Sequence, residues 1–396
     1  ARQTGEMVGL DLPVIPVEHQ YLVTEPHPAL IERKKQGLPE MGVLRESDGA
    51  WYLREENNGF ILGPYEKGAP CCYVDGPDPQ AEYELFQEDI ERLEPHIEAA
   101  MNRVPAFGEV GIKNAYNGAI AYTPDGNPII GPAWDLDNFW LNEGHSFGIT
   151  AAGGAGWQLA EWIVEGEPTI DMLGVEPRRF GDYATKQYLI EKNEEAYSHV
   201  FVIHYPDEER PAARPLRTAP CYERMKERGA VFGQRFGWER PNFFATDGMP
   251  QEDDWSFRRS RWFEAIRKEV ANTTENVGLL DMTAFAKCRI SGPGAEAFLD
   301  YLVANSLPKS VGGLSLAHAL NTRGGVHSEF TIRRESGDSF YLVSAGALQR
   351  LDHDYIRTHV PKDGSVQFTP LTGAHGVLVL AGPNARRLLE RVTAAD

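Results

Sequence analysis

Cysteine is scarce in this chain of 396 residues: Cys71, Cys72, Cys221 and Cys288 are all it has. None of the spacings forms a metal-binding pattern, and Cys71 and Cys72 are adjacent rather than separated by two residues. That usage points to reduced thiols in a cytosol-like compartment (cytoplasm, or mitochondrial matrix in a eukaryote) and to no metal site. Long apolar runs are missing too. None approaches the roughly 18 residues that a membrane-spanning helix needs, and Glu6, Asp11 and Pro13 break any leader-like apolar stretch after Ala1. Basic charge is short: 39 Lys and Arg face 58 Asp and Glu, a net charge of -19. Bulk electrostatic binding to nucleic acid or anionic lipid is thereby disfavoured.

What is present is ordinary for a globular protein, 42% hydrophobic and 24% charged, with room for two or three domains. Residues 1–175 mix short strands, turns and helices. Val14-Ile15-Pro16-Val17, Gln20 to Thr24, Trp51 to Arg54 and Gly59 to Gly63 read as strands, and Ala81 to Val104 as a helix. Asn114 to Gly131 reads as strand, turn, strand, with Thr123-Pro124-Asp125-Gly126 as a hairpin turn. Pro168 to about Pro250 is rich in charge, proline and aromatics, which predicts a packed connector rather than a free linker. Beyond it lies an internal repeat. Lys287 to Leu299 and Gly376 to Leu389 each read as strand, Gly-Pro turn and helix, the unit of a pseudo-symmetric α+β domain. No methionine precedes Ala1, and a helical pattern (Ala385, Leu388, Leu389, Val392) stands at the other end, so the chain reads as part of a longer polypeptide.

Two segments carry chemistry. In the first, Gly144-His145-Ser146-Phe147-Gly148-Ile149-Thr150 runs into Gly153-Gly154-Ala155-Gly156, read as glycines opening a helix from Gly153 to Ile163. Backbone amides at such a helix start can approach an anion. The signal is incomplete: the full dinucleotide fingerprint would need glycine at 159, which is Leu159. In the second, Asn321-Thr322-Arg323-Gly324-Gly325-Val326-His327-Ser328-Glu329 is a turn that delivers one carboxylate into a strand. Asp281 reads as a turn or cap residue.

The run from Gly118 through Thr123-Pro124-Asp125-Gly126, Pro128 and Gly131, then Gly144 to Gly148 and Gly153 to Ile163, resembles the flavin-contacting part of the D-amino-acid-oxidase-like FAD family. Within it the likeness is to the dimethylglycine and sarcosine dehydrogenases. Those enzymes begin with a Rossmann half that this chain lacks, so tight FAD binding is not expected of this piece alone. The resemblance implies FAD contacts at Gly118, Pro128, Gly131, Gly144, His145, Ser146, Gly148, Ile149 and Thr150. It also places His19 and Tyr52 on strands facing the amine. Amine oxidation needs the neutral amine, and a group titrating near neutrality can take its proton.

The third region resembles the glycine-cleavage T-protein, or aminomethyltransferase, family in Val277 to Thr283, Ser291-Gly292-Pro293, Asn305 and Asn321 to Phe330. That likeness implies tetrahydrofolate contacts at Glu329, Asn305 and Asn321. The family's acid pair is here Ser328 and Glu329, and a family tyrosine falls on Leu316. The expected architecture is therefore mixed α+β and α/β: the C-terminal part of an FAD domain (1–175), a connector (176–225) and an incomplete T-protein-like folate domain (226–396). The implied activity is oxidation of an N-methyl amine, with the one-carbon unit passed to tetrahydrofolate and electrons to an electron-transfer flavoprotein or oxygen. The competing reading is a folate-dependent aminomethyl or methyl transferase whose flavin half is vestigial.

Overall fold

The computed structural model describes residues 1–246 and 248–394. A short helix α1 (Arg2–Glu6) leads into the first sheet, whose strands are β1 (Val17–Thr24), β2 (Leu44–Glu46), β3 (Trp51–Glu56), β4 (Gly59–Pro64) and β5 (Ile112–Ile120). Their order is β2-β3-β4-β1-β5, antiparallel throughout. Residues 14 and 15, read as strand, are buried but stand before β1. Helix α2 (Pro28–Lys35) follows β1, and α3 (Ile90–Arg103) covers one face of the sheet. Leu22, Trp51, Leu53, Phe60 and Leu62 meet Leu93, Ala100 and Phe107 there, and the period of two leaves the alternate residues on the open face.

Helix α3 begins at Ile90, not Ala81. Asp89 caps it by accepting from the Arg92 amide at 3.1 Å, and the Gln20 side chain fixes Asp89 by accepting its backbone N–H at 2.7 Å. A cap anchored to the sheet decides the start over the apolar periodicity, and Leu85 stays exposed in the preceding loop. The Thr123 to Gly126 turn forms, with Gly126 N–H donating to Thr123 O at 3.0 Å, yet it closes no hairpin. β5 pairs with β1, whereas β6 (Ile129–Pro132) pairs with β7 (Trp140–Glu143). Helix α4 runs from Gly148 to Glu165, so the glycines at 153, 154 and 156 lie inside it rather than opening it. Ile130, Ala155 and Trp162 hold α4 against β6, and this packing outweighs the helix cost of glycine, about 1 kcal/mol each.

The central segment folds as more than a connector. Helix α5 (Lys186–Ser198), capped by Thr185, lies against the open face of the first sheet, burying Ala196 and Tyr197 against Val17, Tyr65 and Tyr122. After α6 (Tyr222–Glu227), the strands β8 (Ala230–Arg235) and β9 (Trp238–Phe244) form a hairpin that α7 (Trp262–Glu275) supports. Phe236 and Gly237 both take positive φ in its turn, as a two-residue hairpin of matching twist requires.

In the last module β10 (Gly278–Asp281) pairs with a late strand, β16 (Leu378–Ala381). A second five-stranded sheet uses β11 (Ala286–Ser291), β12 (Leu314–Leu320), β13 (Val326–Arg334), β14 (Ser339–Ser344) and β15 (Gln367–Pro370), in the order β12-β13-β14-β11-β15. Helices α8 (Ala295–Leu302) and α9 (Gln349–His359) cover it around Phe298, Leu299, Phe330, Phe340 and Ile356. The repeat is real: β16 runs through Gly382 into α10 (Ala385–Val392) as β11 runs through Gly292 into α8. Both glycines take positive φ (+115° and +110°), and a Cβ on either would stand 2.5 Å from a backbone oxygen. The two units nevertheless enter different sheets.

Candidate active sites

The open face of the first sheet carries both residues singled out for the amine side. Register places Arg45 beside Tyr52, Tyr52 beside Gly63, and Tyr21 beside Tyr116. His19 lies two residues before Tyr21 and opposite Gly118, so it shares this face. The Tyr21 and Tyr116 rings stand 5.1 Å apart. The Arg45 guanidinium lies 5.9 Å from the Tyr52 ring centroid and 3.4 Å from that of Phe201. Burial raises the Tyr52 phenol above its ordinary range, with neighbouring Arg54 opposing the shift. The face thus offers polarisable rings to a methylated cation.

His19 is tied to a buried chain of groups. Its Nδ1 lies 2.9 Å from the Tyr197 hydroxyl on α5, and that hydroxyl donates to Glu66 Oε2 at 2.7 Å. Glu66, just past β4, is 1% exposed and also accepts from Gln20 Nε2 at 3.0 Å. Burial lowers the His19 pKa below 6.5, more strongly than the Glu66 carboxylate raises it. Neither Tyr197 nor Glu66 carries a local sequence signal, because the contact joins residues 131 apart. Gln20, inside the quoted strand, was the nearest clue: a polar residue at an inward position of an alternating strand must find a buried partner.

The predicted flavin residues divide. Pro128, His145 and Ser146 line a cleft of about 410 Å³ together with Asp125, Gly126, Asn127 and Phe147. Gly148, Ile149 and Thr150 form the first turn of α4 beside it, and Ile149 is fully exposed. Gly144 takes φ +74° in the turn before them, where a Cβ would press on Thr123 and Val14. Gly131 faces elsewhere, against Trp162 and Pro177, where it permits close packing. His145 Nε2 stands 2.7 Å from Asn142 Oδ1, which makes it the donor and leaves Nδ1 as a buried acceptor without a partner. An orphaned acceptor beside free first-turn amides fits the polar edge of a flavin.

The second site lies on the last module. Glu329 on β13 lines a pocket of about 150 Å³ with Phe285, Thr331, Ser344, Leu348 and Asp352. Its carboxylate pairs with His318 Nε2 at 3.0 Å. Asn305 supports that pair from behind, its Oδ1 accepting from the His318 backbone at 2.9 Å. Asn321 is separated from the pocket: its Oδ1 accepts from the amides of Arg323 and Gly325 at 3.1 and 2.7 Å and so holds the turn. Asp281 behaves likewise, accepting from the Thr283 amide at 3.0 Å. Asp352, on α9, carries no local sequence signal. It is 1% exposed, accepts from Ser328 Oγ at 2.7 Å, and burial raises its pKa to about 6. Where the related acid pair would stand, a serine hands its hydrogen bond to a carboxylate on α9.

Between the modules opens a larger cleft of about 960 Å³, with Trp162, Met172 and Arg178 on one wall and Tyr301, His327 and Tyr355 on the other. Burial and nearby Arg178 and His359 lower the His327 pKa to about 4. No group of three or more potential metal ligands occurs among the described residues, and no helix among them is long and apolar enough to cross a membrane.

Family models agree with this layout. The FAD dependent oxidoreductase model matches residues 1–162, the FAD dependent oxidoreductase central domain 165–219, and the GCVT N-terminal domain 221–396. The chain is therefore of the class in which an FAD-dependent oxidoreductase module is fused to a T-protein-type module. Mitochondrial dimethylglycine dehydrogenase of Mus musculus is 38% identical to it, over 100% of this chain and 46% of that protein. Mitochondrial sarcosine dehydrogenase of Homo sapiens is 30% identical over the same shares. The chain is homologous along its whole length to the dimethylglycine and sarcosine dehydrogenases, and it spans about half the length of these relatives. Among solved structures, glycine cleavage system aminomethyltransferase T from Bartonella henselae overlays 44% of this chain and 43% of its own, with TM-score 0.37 and 24% identity.

Proposed function

We propose that the protein carrying this chain oxidises an N-methyl amino acid of the dimethylglycine or sarcosine type at the first module. It then passes the one-carbon unit to tetrahydrofolate at the second. The observation that carries this reading is the pairing of His19, held by buried partners on a tyrosine-lined face, with the Glu329 pocket of the same chain. FAD, when bound, would accept hydride from the N-methyl carbon. Pro128, His145 and Ser146, with the first-turn amides of Gly148, Ile149 and Thr150, are the groups that would hold its polar edge. Gly144, at φ +74°, turns the backbone into this segment, and Gly118 lies on β5 opposite His19.

This chain's own residues manage the proton and the charge. His19, neutral above its lowered pKa, takes the proton from the substrate ammonium and frees the nitrogen lone pair. Tyr52 and Tyr21 give the methylated nitrogen a polarisable wall. At the second module Glu329 accepts a hydrogen bond from a folate N–H, a charge-assisted contact worth roughly 1.5–3 kcal/mol. Keeping both sites on one polypeptide raises the local concentration of the reactive iminium or formaldehyde. Electrons would leave to an electron-transfer flavoprotein or to oxygen, in a thiol-reducing compartment such as the cytoplasm or mitochondrial matrix.

The test is product partition in the holoenzyme. Glu329→Ala should leave amine-driven flavin bleaching intact, lower the methylene-tetrahydrofolate yield and release formaldehyde instead. Unchanged partition would remove Glu329 from the reaction. A purified protein that is colourless would favour the transferase reading over amine oxidation.

A further inference from the structure

The groups behind His19 settle more than its packing. Tyr197 has one hydroxyl proton, and the 2.7 Å bond to Glu66 Oε2 uses it. The tyrosine oxygen can then only accept from His19, so the imidazole proton sits on Nδ1. Nε2 is left with its lone pair and has no hydrogen-bond partner among the described residues. The second oxygen of Glu66 is held by Gln20 Nε2 at 3.0 Å, with Arg92 Nε 3.8 Å away. The chain imidazole, phenol, carboxylate is thus locked at both ends and buried at its centre: Tyr197 is 0% and Glu66 1% exposed.

We propose that Tyr197 and Glu66 are positioning residues of the amine-oxidising site. They hold His19 as a base of fixed tautomer and stabilise the imidazolium it becomes. This deepens the reading of His19 given above and rests on it. The step balances simply: the substrate N–H bond breaks, an Nε2–H bond forms, and the electron pair stays on the amine nitrogen, where it assists loss of hydride from the methyl carbon. The positive charge moves from amine to imidazole. Nδ1–H then donates to a phenol polarised by a buried anion, as the aspartate of a serine-protease triad supports its histidine. The base comes from β1, its support from α5 and from the end of β4. The central segment therefore completes the site.

Two independent measurements test this. Nitrogen-15 NMR of the purified chain should find neutral His19 protonated at Nδ1, and Tyr197→Phe should abolish that preference while leaving the ring packed against Tyr65 and Tyr122. Protonation at Nε2 in the unmodified chain would overturn the proposal whatever the enzyme does. In the holoenzyme, Tyr197→Phe and Glu66→Gln should each lower the amine-driven flavin-reduction rate on the order of 10²-fold with little change in substrate affinity. Neither should add to the loss caused by His19→Ala, since all three act as one unit. Rates matching wild type in both variants would overturn the proposal. If the unmodified holoenzyme's flavin were not bleached by an N-methyl amino acid, amine oxidation itself would fall, while the tautomer would still be read from the spectrum.

Discussion

The phenol of Tyr52 lies across Gly63, its neighbour on the adjacent strand: a Cβ at position 63 would stand 2.2 Å from the ring's Cζ and 2.3 Å from the hydroxyl. The glycine is the recess in which Tyr52 rests. Gly63→Ala should push the ring off the sheet at a cost of about 1–3 kcal/mol in stability. It should also slow flavin reduction without touching folate transfer. Thermal unfolding and stopped-flow reduction of one preparation would read both, and an unchanged rate with the lowered stability would make Tyr52 a packing residue.

His19 gives a pH signature. Burial lowers its pKa below 6.5, so the base stays neutral on falling below that pH and is lost only as pH drops through the lowered value. The acid limb that His19 governs should therefore lie below pH 6.5. His19→Ala should cost on the order of 10²-fold in reduction rate and move that limb. Stopped-flow traces indistinguishable from wild type between about pH 6 and 10 would assign the histidine to packing and favour Tyr52.

Asp352 and His353 are adjacent on α9 and burial shifts them in opposite senses, the first from 3.8 to about 6 and the second from 6.5 to about 4. For the aspartate, whose folded pKa is raised, the stability it contributes is complete below pH 3.8 and lost as pH rises through about 6. Asp352→Asn should thus gain about 3 kcal/mol over wild type near pH 7 and next to nothing near pH 4. For the histidine the contribution is present above 6.5 and lost as pH falls through about 4. His353→Gln should flatten acid unfolding in that window. Urea midpoints across the range would expose either failure.

Arg178 joins the modules, donating to Glu176 at 2.7 Å and to Asp354 on α9 at 2.8 Å. Both carboxylates are buried. Arg178→Ala would leave them unpaired, at a cost of about 3–5 kcal/mol. Calorimetry showing a smaller loss would mean that water reaches the pair.

The order of modules, the strands bearing His19 and Tyr52, and the Gly-Pro repeat were all legible, because period-two alternation and positive-φ glycines are local properties. The start of α3 was not, since Asp89 is fixed by Gln20 on a distant strand. Nor was the start of α4: its glycines read as the opening of the helix, yet the helix begins five residues earlier at Gly148 and carries them inside it, packed through Ala155 and Trp162. Tyr197 and Asp352 were invisible for the same reason. Each acquires its role from a partner far along the chain, and an amphipathic helix shows which residues face inward but not what they meet.

Helix α5 has a consequence beyond the site it completes. It rests on the first sheet through Tyr197, while residues just before it reach the last module through Arg178 and through the ion pair of Asp182 with Arg350. Three segments that match separate family models are thereby pinned by one short stretch of backbone. Loss of that stretch would release both neighbours together, so melting should be a shared event rather than three successive ones, and a lesion in the folate half should be felt at His19 as lost order.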